Sequence, residues 1–454
     1  MAIVLKFGGT SMNDHQTWTR VLEIINGKTN PVIIVSATAR TTRQLREAAA
    51  LAASGQVNEA QELCTSIKER HQELIMSFLE HHPHPKNQLI ADSCQARINQ
   101  VMGSLDKLLM YINRQEKLSP QLKDAVLSIG EQLSAYLFAQ CGLAMDILTH
   151  YIDARKIIRT DSEFGRANPN TGLIYQKALA LESVMDGGFI PVIGGFYGES
   201  DTGMITTLGF EGSDYSASLI GAALQADSIE IWTDVSGVYT SDPRFIPKAK
   251  PIAELSYFDA TEMAYFGARV LHPSTLKPAQ ERNIPVWVKN MFAPDDHGTK
   301  IIRSVESGKD VLALSFKENM AIITITAYET LMGFDFLTRV FHALQELRIP
   351  VDAVNTTESS VTIALSDGAH IEQLTRSFIA LGTVSTTTHK GLITLIGCTF
   401  DQTQTIKERV LGALPDVTID MISYTKEKRI FNVVLEHDLL VDTSRNIHDA
   451  LFLS

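Results

Sequence analysis

Cysteine is scarce and scattered. Cys64, Cys94, Cys141 and Cys398 form no C-x-x-C pair, which argues against a zinc site or a disulfide framework and for reduced thiols in a cytoplasmic protein. Long apolar runs are missing too. MAIVLKFGG meets Lys6 after a short apolar start, and no later stretch approaches the ~18 apolar residues of a membrane helix. Neither export nor a membrane anchor is expected. Positive charge is in deficit: 40 Lys and Arg stand against 52 Asp and Glu, a formal charge of −12. The basic residues follow no stripe, so nucleic acid is not an expected partner. Any anionic ligand needs cations gathered locally.

What is present is apolar content on a long chain. With 44% hydrophobic residues among 454, two to four domains are expected rather than one core. Over residues 1–305, short β-branched runs (AIVLKF, PVIIVSA, AMDILT, FIPVIGGF, SIEIWTD, IPVWVK) alternate with helix-sized segments. Strands of that kind are buried on both faces, so the expectation is a three-layer α/β domain with a mostly parallel sheet. Residues 41–119 are charged, poor in strand signals and apolar at helical spacing, which predicts a helical insertion. HHPHP at 81–85 follows a helix and contains prolines, so it reads as a solvated loop rather than a metal site.

After a polar linker near SVESGKD, the pattern duplicates. AIITIT (321–326) returns as LITLIG (392–397), and VTIAL (361–365) as FNVVL (431–435). Each copy spans about 70 residues in the order strand, helix, strand, strand, helix, strand. Two α+β modules are expected, over 311–390 and 391–454, with TKEKR (425–429) as a solvated hairpin turn.

Chemistry is suggested by glycine turns. LKFGGTS ends a strand on Lys6 and turns through Gly8 and Gly9, whose bare N–H groups suit phosphate oxygens while Lys6 neutralises charge on a transferring phosphoryl group. GFEGSDYSA opens a helix, with Ser213 or Asp214 as a cap, or Asp214 orienting Lys6 or a cation. The strand IEIWTD leads into VSGVYTSDPR, where Thr233, Asp234, Tyr239, Asp242 and Arg244 offer hydroxyls, carboxylates, an aromatic face and a guanidinium to a nucleotide. Singly, each is also ordinary turn chemistry.

The succession is more specific. KFGGTS, SATARTT (36–42), SIGEQLSA (128–135), RTDSEFGRA (159–167), TTLGFEGSDYSA (206–217), WTDVSGVYTSDPR (232–244) and YFGARVLHPSTL (265–276) resemble, in order, the motifs of aspartate kinases, most of all the lysine-sensitive single-function type. VLALSFKENMAIITIT, FLTRVF and IPVDAVNTTESSV resemble the first ACT module of those enzymes. The resemblance implies an amino acid kinase fold with two C-terminal ferredoxin-like ACT modules. It implies a cytoplasmic, ATP- and Mg2+-dependent phosphoryl transfer to the β-carboxylate of L-aspartate, and a homodimer or larger assembly through the ACT modules. Matching motifs place Lys6, Gly8 and Gly9 on phosphate, and Ser36, Thr42 and Ser213 on aspartate. Glu131 takes the aspartate ammonium, and Asp214 organises the lysine. Thr233, Asp234, Tyr239, Asp242, Arg244 and Arg269 fall on the ATP site. No protein metal ligand is implied.

Three departures stand out. Phe210 and Glu211 replace an arginine, which in the family grips the α-carboxylate of aspartate, and its small neighbour. Arg269 replaces a lysine, and Arg43 an asparagine or aspartate. A substituted cation is therefore expected, and Arg166 in FGRA is chosen over Arg43 and Arg159, with Glu211 holding it and Phe210 filling the vacated volume. The alternative is that 210 and 211 point away and backbone N–H groups hold the carboxylate. In the regulatory part, Met332, Asp352 and Glu358 match effector positions, Asp352 receiving the ammonium of lysine; otherwise Asp352 merely ends a strand. Two rival functions are a same-fold kinase for another carboxylate such as glutamate, and an amino-acid-sensing pseudokinase.

Overall fold

The computed structural model describes residues 2–453 apart from 267–270, 272, 306–310, 329–333, 358, 367, 369–370, 398–403, 415–417 and 428. Arg269, Met332 and Glu358 thus lie outside the described residues, as does Cys398. The chain divides into two compact units. The first holds Met1–Val238, Ile252–Tyr257 and Val270–Val305; the second holds Tyr239–Pro251, Phe258–Arg269 and Glu306–Ser454.

The first unit begins β1 (Ile3–Phe7), α1 (His15–Asn26), β2 (Pro31–Val35), then helices α2 (Thr41–Ala53), α3 (Val57–His81), α4 (Asn87–Gln115), α5 (Pro120–Leu127) and α6 (Ile129–Leu143). It continues through β3 (Thr149–Ile152), β4 (Arg159–Thr160), α7 (Thr171–Asp186), β5 (Ile190–Gly194), β6 (Tyr197–Ser200), β7 (Ile205–Thr207), α8 (Gly212–Ala223) and β8 (Ser228–Thr233). Next come β9 (Glu254–Ser256), α9 (Tyr257–Tyr265, nearly all in the second unit), α10 (Pro273–Arg282), β10 (Val286–Asn290) and β11 (Thr299–Ile302).

Eight strands form one sheet in the order β3-β5-β2-β1-β8-β10-β11-β9. Every pair is parallel except β10 with β11. β2 is buried at all five positions, as the unbroken PVIIV run requires of a strand covered on both faces. β4, β6 and β7 make a small separate sheet that short, weakly apolar runs do not announce. One expected strand is mostly something else. AMDILT follows α6, with Ala144 as the helix C-cap and a turn through Asp146 in the left-handed region, and β3 starts only at Thr149.

The helices of 41–115 belong to the same core. Ile67 and Phe78 of α3 and Ile98 and Leu105 of α4 are buried with Trp18 of α1 and Phe138 of α6, Trp18 meeting the Phe138 ring edge-on at 5.5 Å. Burying such a row of large side chains against the sheet layer is worth about 1.5–3 kcal/mol each, which attaches the helices to the sheet. The α1 start is held by a capping box between Asp14 and Thr17, and α5 by the Ser119 cap with Pro120 behind it.

The second unit contains β12 (Ala313–Ala327), α11 (Phe334–Glu346), β13 (Ala353–Thr356), β14 (Ser360–Ser366), α12 (Ile371–Ile379), β15 (Gly382–Ile396), α13 (Gln404–Gly412), β16 (Ile419–Thr425), β17 (Ile430–Glu436) and α14 (Leu440–Phe452). Its six strands form one antiparallel sheet, β13-β14-β12-β15-β17-β16. Two cores lie along it, one built on Ile323, Ile363, Leu374 and Phe378, the other on Leu314, Ile393, Phe431, Val433 and Ile447. β12 and β15, each 15 residues long, run through both. Ala313–Lys317 pair with 392–396 in the second core, while 320–327 pair with 382–390 and with β14 in the first. Residue 390 therefore lies inside a continuous strand. Within TKEKR, Lys426, Glu427 and Arg429 lie in the turn between β16 and β17, with Thr425 opposite Ile430.

Candidate active site

Lys6 sits in the central strand, flanked by β2 and β8. Leu5 and Phe7 are fully buried; strand alternation turns Lys6 to the opposite face. There its Nζ forms an ion pair of 2.6 Å with Oδ1 of Asp214, both side chains being about nine-tenths buried. Asp214 occupies the first turn of α8, where the helix dipole favours a carboxylate. The approach of α8 to the sheet needs Gly195: a Cβ there would lie 2.7 Å from Ser213 Cα. A Cβ on Gly8 would come within 3.5 Å of Lys6 Nζ, so the Gly8–Gly9 turn passes beside the ammonium.

The 36–42 loop is drawn to the same strand ends. Ser36 N donates to Phe7 O at 3.0 Å, and Ala37 N donates to Glu131 Oε1 at 3.2 Å. α6 comes this close because residue 130 is glycine; a Cβ there would lie 2.7 Å from that of Ala37. Glu131 is 3% exposed, and its Oε2 has no hydrogen-bond partner among the described residues. Burial pushes its carboxyl up to about 8. The structure thus brings Lys6, Gly8, Gly9, Ser36, Glu131, Ser213 and Asp214 to the carboxyl ends of β1, β2 and β5, where open α/β sheets place ligands. Thr42 opens α2, half-buried.

Sequence reasoning missed the supports of this loop. Thr38 and Thr41 are linked by a 2.6 Å hydrogen bond, Arg70 Nη2 donates to Thr41 Oγ1 at 2.6 Å, and His71 Nε2 lies 3.0 Å from Thr38 Oγ1. The other ring nitrogen of His71 is 2.7 Å from the Ile67 carbonyl, so Nδ1–H donates there and Nε2 accepts. Burial pushes the His71 imidazole down to about 4. Asp124 was also missed: its carboxylate accepts from Gly165 N (2.8 Å), Thr207 N (2.9 Å) and Thr207 Oγ1 (2.8 Å), tying the FGRA loop to β7. Burial raises its carboxyl above the usual range. Only the hydrophobic periodicity of α3 and α5 was legible; nothing local marks these polar residues.

The altered loop is corrected in one respect. Phe210 is 78% exposed, so it fills no vacated volume; Glu211, which follows it, caps α8 in the left-handed region. Arg166 is exposed and runs beside the loop, its Cγ 3.5 Å from where a Gly209 Cβ would be. Arg159 is already engaged by Glu199 at 2.8 Å and by the Ser200 carbonyl. Arg43 is exposed on the first turn of α2.

At the end of β8, Thr233 Oγ1 donates to Asp234 Oδ1 at 3.1 Å. Asp234 borders a cleft of about 560 Å³ that Thr10, Asn13, Arg20 and Phe292 also line. In the second unit, Tyr239 bridges to Pro251, and Asp242 accepts from Arg244 Nη2 at 2.6 Å.

Asp352 stands just before β13 and is already partnered. Lys317 Nζ donates to its Oδ1 at 2.5 Å, the Asp352 side chain being 5% exposed. The same ammonium lies 5.1 Å from the ring centroid of Tyr265, whose hydroxyl donates to Val351 O. An ammonium is therefore received there, from the chain itself.

Residues 1–290 match the model of the amino acid kinase family. The chain is 31% identical to the lysine-sensitive aspartokinase 3 of Escherichia coli K12 over 99% of both sequences. It is also 31% identical to the chloroplastic aspartokinase 1 of Arabidopsis thaliana over 99% of this chain and 80% of that one. Its structure resembles E. coli aspartokinase III in complex with aspartate and ADP, the R-state, with a TM-score of 0.85, 30% identity and full coverage of both chains. The lysine- and aspartate-bound T-state of that enzyme gives 0.82 over 99% of each. Among the described residues, no helix is long and apolar enough to cross a membrane.

Proposed function

The chain belongs to the aspartokinases, within the amino acid kinase family, and from this premise we propose how its residues transfer the γ-phosphoryl group of ATP to the β-carboxylate of L-aspartate. The product is 4-phospho-L-aspartate, the first step toward lysine, threonine and methionine. The observation that carries the mechanism is the buried Lys6–Asp214 pair beside Glu131. A β-carboxylate oxygen attacks the γ-phosphorus, the bond to the β-γ bridging oxygen breaks, and ADP leaves. The acceptor is already ionised, so no general base is needed, and positioning with positive charge supplies the rate. Lys6 meets the charge on the transferring group, Asp214 holds Lys6 in place, and the N–H groups of Gly8 and Gly9 take phosphate oxygens.

Glu131 offers its unpartnered Oε2 to the aspartate ammonium, with Ser36, Thr42 and Ser213 as hydroxyl ligands. Arg166 grips the α-carboxylate in place of the family arginine, since an α-carboxylate in a partly desolvated pocket without a cation costs several kcal/mol. ATP is used as its Mg2+ complex, which neutralises charge across the β- and γ-phosphates. The hydroxyl and carboxylate oxygens of Thr233 and Asp234 are hard donors of the kind a hydrated Mg2+ accepts.

The second unit reads an amino-acid effector, lysine, and joins subunits as a homodimer or higher assembly in the cytoplasm. Effector lysine competes with Lys317 for Asp352. Trapping the acyl phosphate with hydroxylamine tests the reaction: aspartate turns over and glutamate, one methylene longer, far more slowly. Equal turnover of glutamate overturns the substrate assignment, and no turnover of any acceptor favours an amino-acid sensor without catalysis.

A further inference from the structure

We propose that His389, His437 and Asp438 form a binding site for a transition-metal dication of the zinc class in the second unit. The three ligand atoms all lie within 4.8 Å of one another. His389 Nε2 is 3.2 Å from Asp438 Oδ1, and His437 Nδ1 is 3.6 Å from the same oxygen. A tetrahedral centre with metal–ligand bonds of about 2.0–2.2 Å has ligand–ligand edges of about 3.4 Å, so the side chains stand near the required spacing with a fourth position left for water.

The backbone explains how the set is assembled. Lys390 lies opposite Glu436 across the β15–β17 ladder, which puts the preceding His389 beside the residue that follows β17, His437. The imidazoles stack at 4.5 Å. β15 carries an extra residue between 387 and 390 relative to β12, and His389 within that irregularity has φ of +61°, a conformation that costs a non-glycine residue about 1 kcal/mol. It turns the ring toward the 437–439 turn.

Two further observations point to a ligand. His437 Nδ1 is shielded from solvent yet has no hydrogen-bond partner among the described residues, an orphan that a metal satisfies. The nearby cation is committed elsewhere: Lys390 Nζ pairs with Asp420 Oδ2 at 2.9 Å and with Glu436, while Asp438 Oδ1 shares a 3.2 Å hydrogen bond with His389 Nε2, a contact that a bound ion replaces. Two imidazoles and one carboxylate suit zinc, copper or nickel far better than magnesium or calcium. A bound ion bridges the middle of β15, the strand shared by both cores, to the turn that starts α14.

The test is titration of the full chain, without an affinity tag, with Zn2+ by calorimetry and with Co2+ by its visible ligand-field bands. The expected result is one saturable ion per chain, undisturbed by millimolar Mg2+, a Zn2+-dependent rise in the thermal midpoint, and a loss of about tenfold or more in affinity for His389→Ala, His437→Ala and Asp438→Asn alike. The aspartate kinase activity of the metal-free variants reports that they are folded. No saturable binding by the wild-type chain, or unchanged binding in the folded His389→Ala/His437→Ala double variant, overturns the proposal.

Discussion

Lys6 Nζ and Asp214 Oδ1 meet at 2.6 Å across the gap between the central strand and the first turn of α8. A buried pair of this kind holds a charge at one position; removing either partner leaves the other uncompensated. Lys6→Met is therefore expected to lower kcat about 100-fold or more with little change in ATP binding, as steady-state kinetics with varied ATP will show. A near-normal kcat assigns the lysine a structural part only.

Glu131 gives a pH signature. Its carboxyl rises from 4.5 to about 8 on folding, so between these values the folded chain holds a proton that the unfolded chain has released. Ligand-free stability consequently falls as pH rises through this window, by up to about 1.4 kcal/mol per unit, and is level above it. Binding the aspartate ammonium requires the ionised form, so KM for aspartate should fall as pH rises toward 8. Glu131→Gln should flatten both profiles and raise KM; denaturant melts and kinetics across the range decide.

His71 works in the opposite sense. Its imidazole falls from 6.5 to about 4 on folding, so the stability it contributes is complete above 6.5 and is lost as pH falls through 4. His71→Phe cannot take up a proton and leaves Thr38 short of a partner. It should be less stable by about 1–3 kcal/mol at neutral pH, with a shallower acid limb in thermal melts and a raised aspartate KM because the 38–41 loop loses its support.

Arg166 lies beside the 209–212 turn. Arg166→Ala should raise KM for aspartate about tenfold or more, roughly 1.4 kcal/mol, with ATP binding unaffected. An unchanged KM leaves the α-carboxylate to backbone N–H groups.

Lys317 and Asp352 predict opposite responses to one effector. Asp352→Ala should remove inhibition by lysine while leaving activity without lysine intact, and Lys317→Met, which frees the carboxylate, should lower the lysine concentration needed. Dose–response curves for the two variants separate this from a threonine-reading site, which neither change would affect in that order.

The short β-branched runs, the helical periodicity of 41–115, the glycine turns after β1 and before α8, and the TKEKR hairpin were readable because each is encoded in a few consecutive residues by side-chain spacing or turn chemistry. The motif succession carried the family for the same reason. Long-range contacts carry no such local mark. Only tertiary packing set Glu131 beside Ala37, put His71 of α3 under the 38–41 loop, paired Lys317 with Asp352 and gathered His389 with His437 and Asp438. Packing also turned Phe210 to solvent, made most of AMDILT the turn between α6 and β3, and ran β12 and β15 through two cores. The physical reason is that burial and pairing of polar groups depend on which surfaces the folded sheet and helices bring together, a property of the whole chain rather than of any window within it.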